Sequence, residues 1–361
     1  MAIPLNLLSD KSGSYRSRVD YMGLRCNIAV PTRYVLNITN RCNLRCDMCT
    51  QVNEHGAGGF EMEDDLFDQV LEQTAWTYPS YTLFGGEPLM HSKFASFVEK
   101  IRNYDCMCEI VTNGMLLQKF IDVIIHPKTR LHISMSGSGQ VHNAIKHSQV
   151  SYERIIKAVT TISVQHPDYM NNIHINCVVL PDNVDSILGM VKELSSIGVT
   201  SFTIQHPQWE HKREFEFNNK EWNNVFGRDF ETSMEMHKDY EFNEDYLKKI
   251  FRIEEVLLQD ENLNINFYPE LEKNELRLYY DDKQNFYLST DNVCLAPWMN
   301  PVIESNGDVK GCMGFTVGNM RNDRFWKIWN GELSNSFRQK LMLKESFPVC
   351  KRCCLFYDKY L

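Results

Sequence analysis

Between Arg33 and His206, short runs of β-branched and aromatic residues alternate with stretches whose apolar positions recur every three or four residues. Tyr34–Ile38, Tyr81–Phe84, Cys108–Thr112, Leu131–Met135, Ile173–Leu180 and Ser201–Gln205 read as strands. Asp64–Trp76, Lys93–Asn103, Leu116–Ile125, Tyr152–Val164 and Val184–Ile197 read as the helices between them. The first of these places Leu66, Phe67, Val70 and Leu71 on one face and acids in its opening turn, where they complement the helix dipole. Gly198 stands where a helix C-cap needs left-handed backbone. Six strands separated by helices predict a parallel sheet with right-handed crossovers. Six units rather than eight predict an α/β fold in the form of an open, partial (β/α)6 TIM-like barrel.

The pattern changes after His206. Residues 207–290 hold 20 Asp/Glu against 11 Lys/Arg, and so carry the whole net charge of −9 of the 361-residue chain. They also hold 16 aromatic residues, which predicts a packed bridging segment rather than a bare linker. Glu244–Gln259 reads as a helix and Asn264–Tyr268 as a strand. The acids read first as the solvated face of packed elements, and second as a substrate or partner surface. In the last 70 residues, Met299–Ile303 and Val309–Cys312 flank Asn306-Gly307, a hairpin signal. Short helices are expected at Arg324–Trp329 and Leu333–Leu343. The chain thus divides into an extension (1–32), a barrel (33–206), the acidic bridge (207–290) and a loop-rich domain (291–361), which has little core of its own and needs a staple.

Composition narrows the chemistry. An acidic balance without a long Lys/Arg run argues against nucleic acid and against an anionic membrane as partner. No apolar stretch reaches the roughly 18 residues of a membrane span. The run MAIPLNLL is too short for a secretory signal, so a cytoplasmic setting is expected, where thiols stay reduced. Twelve cysteines then point to metal rather than to disulfides. Cys42, Cys46 and Cys49 form C-x3-C-x2-C on the loop after the first strand, and Cys294, Cys312, Cys350 and Cys353 cluster near the C-terminus. Cys26, Cys106, Cys108, Cys177 and Cys354 read as small buried hydrophobes. Three thiolates leave a four-iron cluster one ligand short, an open position that the amino and carboxylate groups of a cofactor can fill. The alternative is a zinc site completed by a distant Cys or His such as His55.

The run Arg41-Cys42-Asn43-Leu44-Arg45-Cys46-Asp47-Met48-Cys49 resembles the cluster loop of the radical S-adenosylmethionine (SAM) superfamily, and Gly85-Gly86-Glu87-Pro88 after the second strand resembles its GGEP motif. The resemblance implies a [4Fe-4S] cluster on Cys42, Cys46 and Cys49, with SAM on the open iron. It further implies that Met48 approaches the adenine, that the Gly85 and Gly86 carbonyls accept from the SAM ammonium with Glu87 a further cofactor-binding residue, that Asn113 and Ser134 lie near the ribose and carboxylate, and that Asn183 contacts SAM. Ser136 stands where the common S-x-D-G pattern has an acid. All these positions, with Gln205 and His206, fall at C-terminal strand ends, the face on which parallel α/β barrels build their sites. Gln205, His206 and Cys177 are the candidates for catalytic or substrate contacts.

Cys294-Leu295-Ala296-Pro297-Trp298, Asn306-Gly307-Asp308, Gly318-Asn319 and Pro348-Val349-Cys350 resemble the SPASM/twitch extension of that superfamily. This implies a second, auxiliary [4Fe-4S] cluster on Cys294, Cys312, Cys350 and Cys353, with Cys354 an alternative to Cys353 and a structural zinc site the competing assignment. Full cysteine ligation leaves no iron free for substrate, so the auxiliary cluster is expected to accept an electron. The activity implied is reductive SAM cleavage to a 5′-deoxyadenosyl radical that takes a hydrogen atom from a small molecule or a peptide. Net oxidation of a sugar or cyclitol alcohol, peptide crosslinking and peptide epimerisation all fit. An external electron donor such as a flavodoxin or ferredoxin is the expected partner. The competing class is a non-catalytic iron–sulfur or zinc protein used in electron transfer or assembly.

Overall fold

A computed structural model describes residues 29–50, 60–209, 212–231, 240–281, 294–344 and 346–357. Cys26, His55 and the side chain of Cys354 lie outside the described residues. Six strands pair in chain order and all parallel: β1 (Arg33–Thr39), β2 (Ser80–Gly85), β3 (Met107–Thr112), β4 (Thr129–Met135), β5 (Ile173–Val178) and β6 (Ser201–Gln205). A seventh, β7 (Asn264–Tyr268), adds in parallel to β6, so a strand of the acidic segment extends the barrel wall. The sheet ends at β7 without closing, as a partial barrel requires.

The crossovers carry α1 (Asp64–Thr74), α2 (Phe94–Asn103), α3 (Ile121–Ile124), α4 (Gly139–Ile145), α5 (Ser151–Gln165) and α6 (Ile187–Ser196). β1, β4, β5 and β6 bury alternate residues against them, and β2 and β3 bury three residues in a row. In β1, Tyr34, Leu36 and Ile38 are fully buried, while Arg33, Val35 and Asn37 face the half-open inner side. As expected, α1 buries Leu66, Phe67, Val70 and Leu71, and Phe67 stacks on Phe97 of α2 with centroids 3.7 Å apart. The helix expected over Leu116–Ile125 is broken into a 3-10 turn, Leu117–Lys119, and the single turn α3. The short α4 was hidden in the sequence by Ser136-Gly137-Ser138-Gly139, which reads as a turn.

Within the acidic segment, α7 (Lys212–Phe226) packs Trp222 against Phe315 and Phe347 of the C-terminal region, α8 (Glu244–Leu257) packs beside α6, and α9 (Lys273–Tyr280) brings Tyr279 and Tyr280 against His206. The acids sit on outer faces: α8 buries Tyr246, Leu247, Ile250 and Ile253, whereas Glu244 pairs with Arg277 at 2.9 Å on the surface. Such exposed pairs are screened by solvent and add little, and the apolar faces hold the segment.

The C-terminal region continues the same sheet. After α10 (Ala296–Met299), β8 (Val302–Glu304) pairs in parallel with the free edge of β1, and β9 (Asp308–Cys312) and β10 (Phe315–Asn319) follow antiparallel. Asn306-Gly307 makes the expected turn, with Gly307 at φ +93°. Two helices, α11 (Phe325–Trp329) and α12 (Glu332–Lys344), cover the outer face. Among the described residues no helix is long and apolar enough to cross a membrane.

Candidate active site

The loop after β1 is held to the end of β2 by backbone. The Gly86 N–H donates to Thr39 O at 2.8 Å and the Glu87 N–H to Arg41 O at 2.7 Å. This approach is what demands glycine. A Cβ on Gly85 would collide with the Thr39 carbonyl and one on Gly86 with that of Arg41, and Gly85 adopts φ +125°. The two glycines therefore seat the cysteine loop, whatever else their carbonyls contact.

Glu87 turns away from solvent and is completely buried. Its carboxylate accepts the Thr112 hydroxyl at 2.6 Å, the Asn113 N–H at 2.7 Å and the Leu89 N–H at 3.1 Å. Burial pushes its pKa up to about 7, against the lowering effect of these bonds and of the Lys146 charge. Glu87 is thus a strut between β2 and β3 rather than a free cofactor ligand. It presents Asn113, whose Nδ2 donates to Asn43 Oδ1 at 2.8 Å and lies 3.8 Å from Cys42 Sγ. Burial pushes the Cys42 thiol up to about 11, the Leu44 N–H opposing, and Cys46 and Cys49 lie close enough to raise it further. Met48, in the same loop, is half-buried against the core.

Ser134 lies on the inner face of β4, where strand register aligns Ser134, Asn176, Thr203 and Asn266 in one row across β4 to β7. One step further, the buried Ser136 hydroxyl has no partner among the described residues. Its backbone N–H donates to His142 Nδ1 at 3.1 Å. His142, in α4, is held neutral by burial, with its pKa down at about 3. At the end of α4, Lys146 is buried, at 4% exposure, and among the described residues its ammonium has no hydrogen-bond or ion-pair partner. Its charge is felt by Glu87 after β2, by Cys177 on β5 and by His142 one turn back in its own helix. Lys146 and the unpaired Ser136 hydroxyl are the two groups here suited to receive a carboxylate. The sequence reading missed Lys146 and could have found it only as the cation at the end of the helix that follows Ser136-Gly137.

Three expected site residues are placed elsewhere. Asn183 is fully buried, with Oδ1 accepting the Leu180 N–H at 2.8 Å and Nδ2 donating to Val178 O at 2.8 Å, so its amide shapes the turn after β5. Cys177 alternates with Asn176 on β5 and shares the buried face of Ile173 and Ile175. Burial pushes its thiol up to about 12. His206 is buried between Tyr279 and Tyr280, with Nδ1 2.9 Å from Tyr280 Oη, and burial holds its pKa down at about 3. It is a neutral packing histidine. Gln205 lies with Ser201 and Thr203 on the half-open face and keeps its place as a candidate.

A second set of thiols meets at the other edge of the sheet. Burial pushes the Cys294 thiol far up, and Cys353, Cys350 and Cys312 raise it further by their proximity. Burial likewise pushes Cys312 up to about 12 and raises Cys350 and Cys353. Backbone N–H groups aim at the sulfurs: Ala296 at Cys294, Met313 and Gly314 at Cys312, Phe347 at Cys350, Leu355 and Phe356 at Cys353. Four buried thiols with donors in place are set up for thiolates that a bound metal deprotonates. Among the described residues no three His, Cys, Asp or Glu side chains are close enough together to hold a single metal ion.

Comparison with known proteins agrees with both halves. Residues 36–194 match the Radical SAM superfamily, and residues 294–354 match the SPASM iron–sulfur cluster-binding domain. The chain is 38% identical over 86 residues to the tungsten-containing aldehyde ferredoxin oxidoreductase cofactor-modifying protein of Pyrococcus furiosus, a match covering 23% of this chain and 24% of that one. It is 20% identical over 338 residues to the antilisterial bacteriocin subtilosin biosynthesis protein AlbA of Bacillus subtilis, covering 91% of this chain and 66% of that one. The matches therefore span about a quarter and about two thirds of these relatives. Among solved structures, Streptococcus suis SuiB bound to S-adenosylmethionine superposes with a TM-score of 0.63 at 17% identity, over 94% of this chain and 76% of that one. Native anSMEcpe with bound AdoMet gives 0.58 at 15%, over 91% and 88%. The cofactors that go with these domains are SAM, a [4Fe-4S] cluster and an auxiliary iron–sulfur centre, and the chain belongs to the radical SAM superfamily, with a C-terminal SPASM-type iron–sulfur domain.

Proposed function

We propose that this protein binds SAM at a [4Fe-4S] cluster held by Cys42, Cys46 and Cys49 and uses it to take a hydrogen atom from a peptide, in a net oxidation. When bound, cluster and SAM supply reductive cleavage of the sulfonium, giving methionine and a 5′-deoxyadenosyl radical. The observation that carries the reading is the loop of three cysteines seated on the GGEP turn and on Asn113. In this assignment Lys146 and the Ser136 hydroxyl hold the SAM carboxylate, Met48 packs on the adenine, and Gly85 and Gly86 keep the loop against the sheet. Ser134 is the remaining polar group on the inner face of β4 for the ribose.

The peptide assignment is supported by similarity to a bacteriocin biosynthesis protein over most of the chain, and by the fold shared with SuiB, which has been solved bound to its precursor peptide SuiA. The row Asn176, Thr203 and Asn266, with Gln205 above it, offers uncharged donors and acceptors suited to amides. Cys294, Cys312, Cys350 and Cys353 hold one auxiliary cluster whose ligation leaves no iron free for substrate, which suits an electron acceptor. A flavodoxin or ferredoxin supplies the first electron.

Anaerobic incubation with SAM and dithionite tests the assignment. 5′-Deoxyadenosine is expected from the wild type and not from Cys42→Ala, and equal amounts from both would overturn it. Iron analysis should give about eight irons per chain for two four-iron clusters.

A further inference from the structure

Asp47 lies between two of the cysteines assigned to the cluster, Cys46 and Cys49, and two of its groups are fixed to one place. Its backbone N–H donates to Ile145 O at 3.1 Å, and His147 Nε2 lies 2.6 Å from Asp47 Oδ1. Ile145 and His147 flank Lys146. The corner they form is itself rigid: His147 donates its N–H to Ala144 O at 3.1 Å and Ser148 to Asn143 O at 2.9 Å. Its far side is tied down through His142, which accepts the Ser136 N–H, and through Asn143 Oδ1, which accepts the Tyr152 N–H at 2.9 Å. His147 adopts φ +49°, an uncommon conformation for a residue with a Cβ, which surrounding contacts must enforce. The cysteine loop and the buried lysine are thus parts of one braced unit, although they lie 100 residues apart in sequence.

We infer that His147 is a positioning residue: by holding Asp47 it sets the distance between the cluster loop and the Lys146 ammonium, and with it the fit of SAM between them. This rests on the assignment of Lys146 to the SAM carboxylate. His147 touches neither a cysteine sulfur nor Lys146's ammonium in the contacts described, so its removal should leave ligation intact and loosen the spacing.

The test uses the full-length, anaerobically reconstituted protein, with iron content, SAM affinity by equilibrium dialysis and the electron paramagnetic resonance spectrum of the reduced cluster with and without SAM. His147→Ala is expected to keep wild-type iron, bind SAM about tenfold more weakly and lose most of the SAM-induced spectral change. His147→Gln, which keeps an N–H for Asp47, should recover affinity to within about threefold. Asp47→Ala should match His147→Ala, and the double variant should be no weaker than either. Wild-type affinity in His147→Ala, additive losses in the double variant, or loss of iron in both single variants would each overturn the proposal. Lys146→Met separates the two levels. If it weakens SAM binding while His147→Ala does not, only the positioning role fails; if it leaves SAM binding unchanged, the carboxylate assignment fails first.

Discussion

Arg352 lies over the ring of Trp209, its guanidinium carbon 3.9 Å from the ring centroid, and its Nε donates to Tyr279 O at 3.0 Å. The neighbouring Lys351 donates to Asp281 O at 2.8 Å. Both basic residues of the Cys350-x2-Cys353 turn are therefore docked on Trp209, just after β6, and on the C-terminal end of α9, and both are buried. The acidic, aromatic-rich stretch thus acts as a seat for the auxiliary cysteines as well as an extension of the barrel.

Arg352→Ala should destabilise the protein by about 2–4 kcal/mol, through loss of a desolvated cation–π contact and of a charged hydrogen bond. The auxiliary cluster should be lost first. Iron content after chelator treatment is expected to fall toward about four per chain while the SAM-binding cluster survives. Retention of all the iron would show that the turn does not need this seat.

Gly86→Ala should do the reverse. The added Cβ meets the Arg41 carbonyl, and backbone cannot yield as a flexible side chain does. The cysteine loop should shift, removing the SAM-binding cluster and 5′-deoxyadenosine formation while the auxiliary iron, about half the total, remains. Circular dichroism should report an intact fold.

Asn183→Ala distinguishes a turn residue from a cofactor contact. Two hydrogen bonds to buried backbone are lost, so stability should fall by about 1–3 kcal/mol. SAM affinity should change less than about twofold. A tenfold loss of affinity with unchanged melting temperature would return Asn183 to the cofactor site.

His206 gives a pH signature. Its pKa is about 3 in the folded protein against 6.5 when exposed, because burial disfavours the charged ring. Between these values the unfolded chain binds the extra proton, so its contribution to stability is present above pH 6.5 and is lost as pH falls below it. His206→Gln should be less stable than wild type at pH 7.5 by about 1–2 kcal/mol, from lost packing. That gap should narrow by about 1 kcal/mol at pH 5.5. A gap independent of pH would indicate an exposed or already charged ring.

The strands and helices of the barrel were readable from the chain because each buries one face, and burial leaves a period of two or of 3.6 in the order of residues. The cysteine clusters and GGEP were readable for a related reason, since iron ligation and close backbone approach each admit few residue types. Those constraints are local. By contrast, Asn183, Cys177 and His206 carry side chains suited to chemistry, and nothing adjacent in sequence tells which face of the sheet they take. Alternation in β5 sends Cys177 to the helices, and Tyr279 and Tyr280 from the acidic segment enclose His206. Lys146 is the opposite case. One lysine among many in the chain, it stands out only because the end of α4 buries it within electrostatic reach of Glu87 and Cys177. Sequence by itself therefore determined the fold class and singled out the two cysteine clusters, where local backbone and coordination chemistry set the residue type. Only the tertiary structure decided which polar side chains meet at the mouth of the barrel, because that depends on burial and on charges brought together from distant parts of the chain.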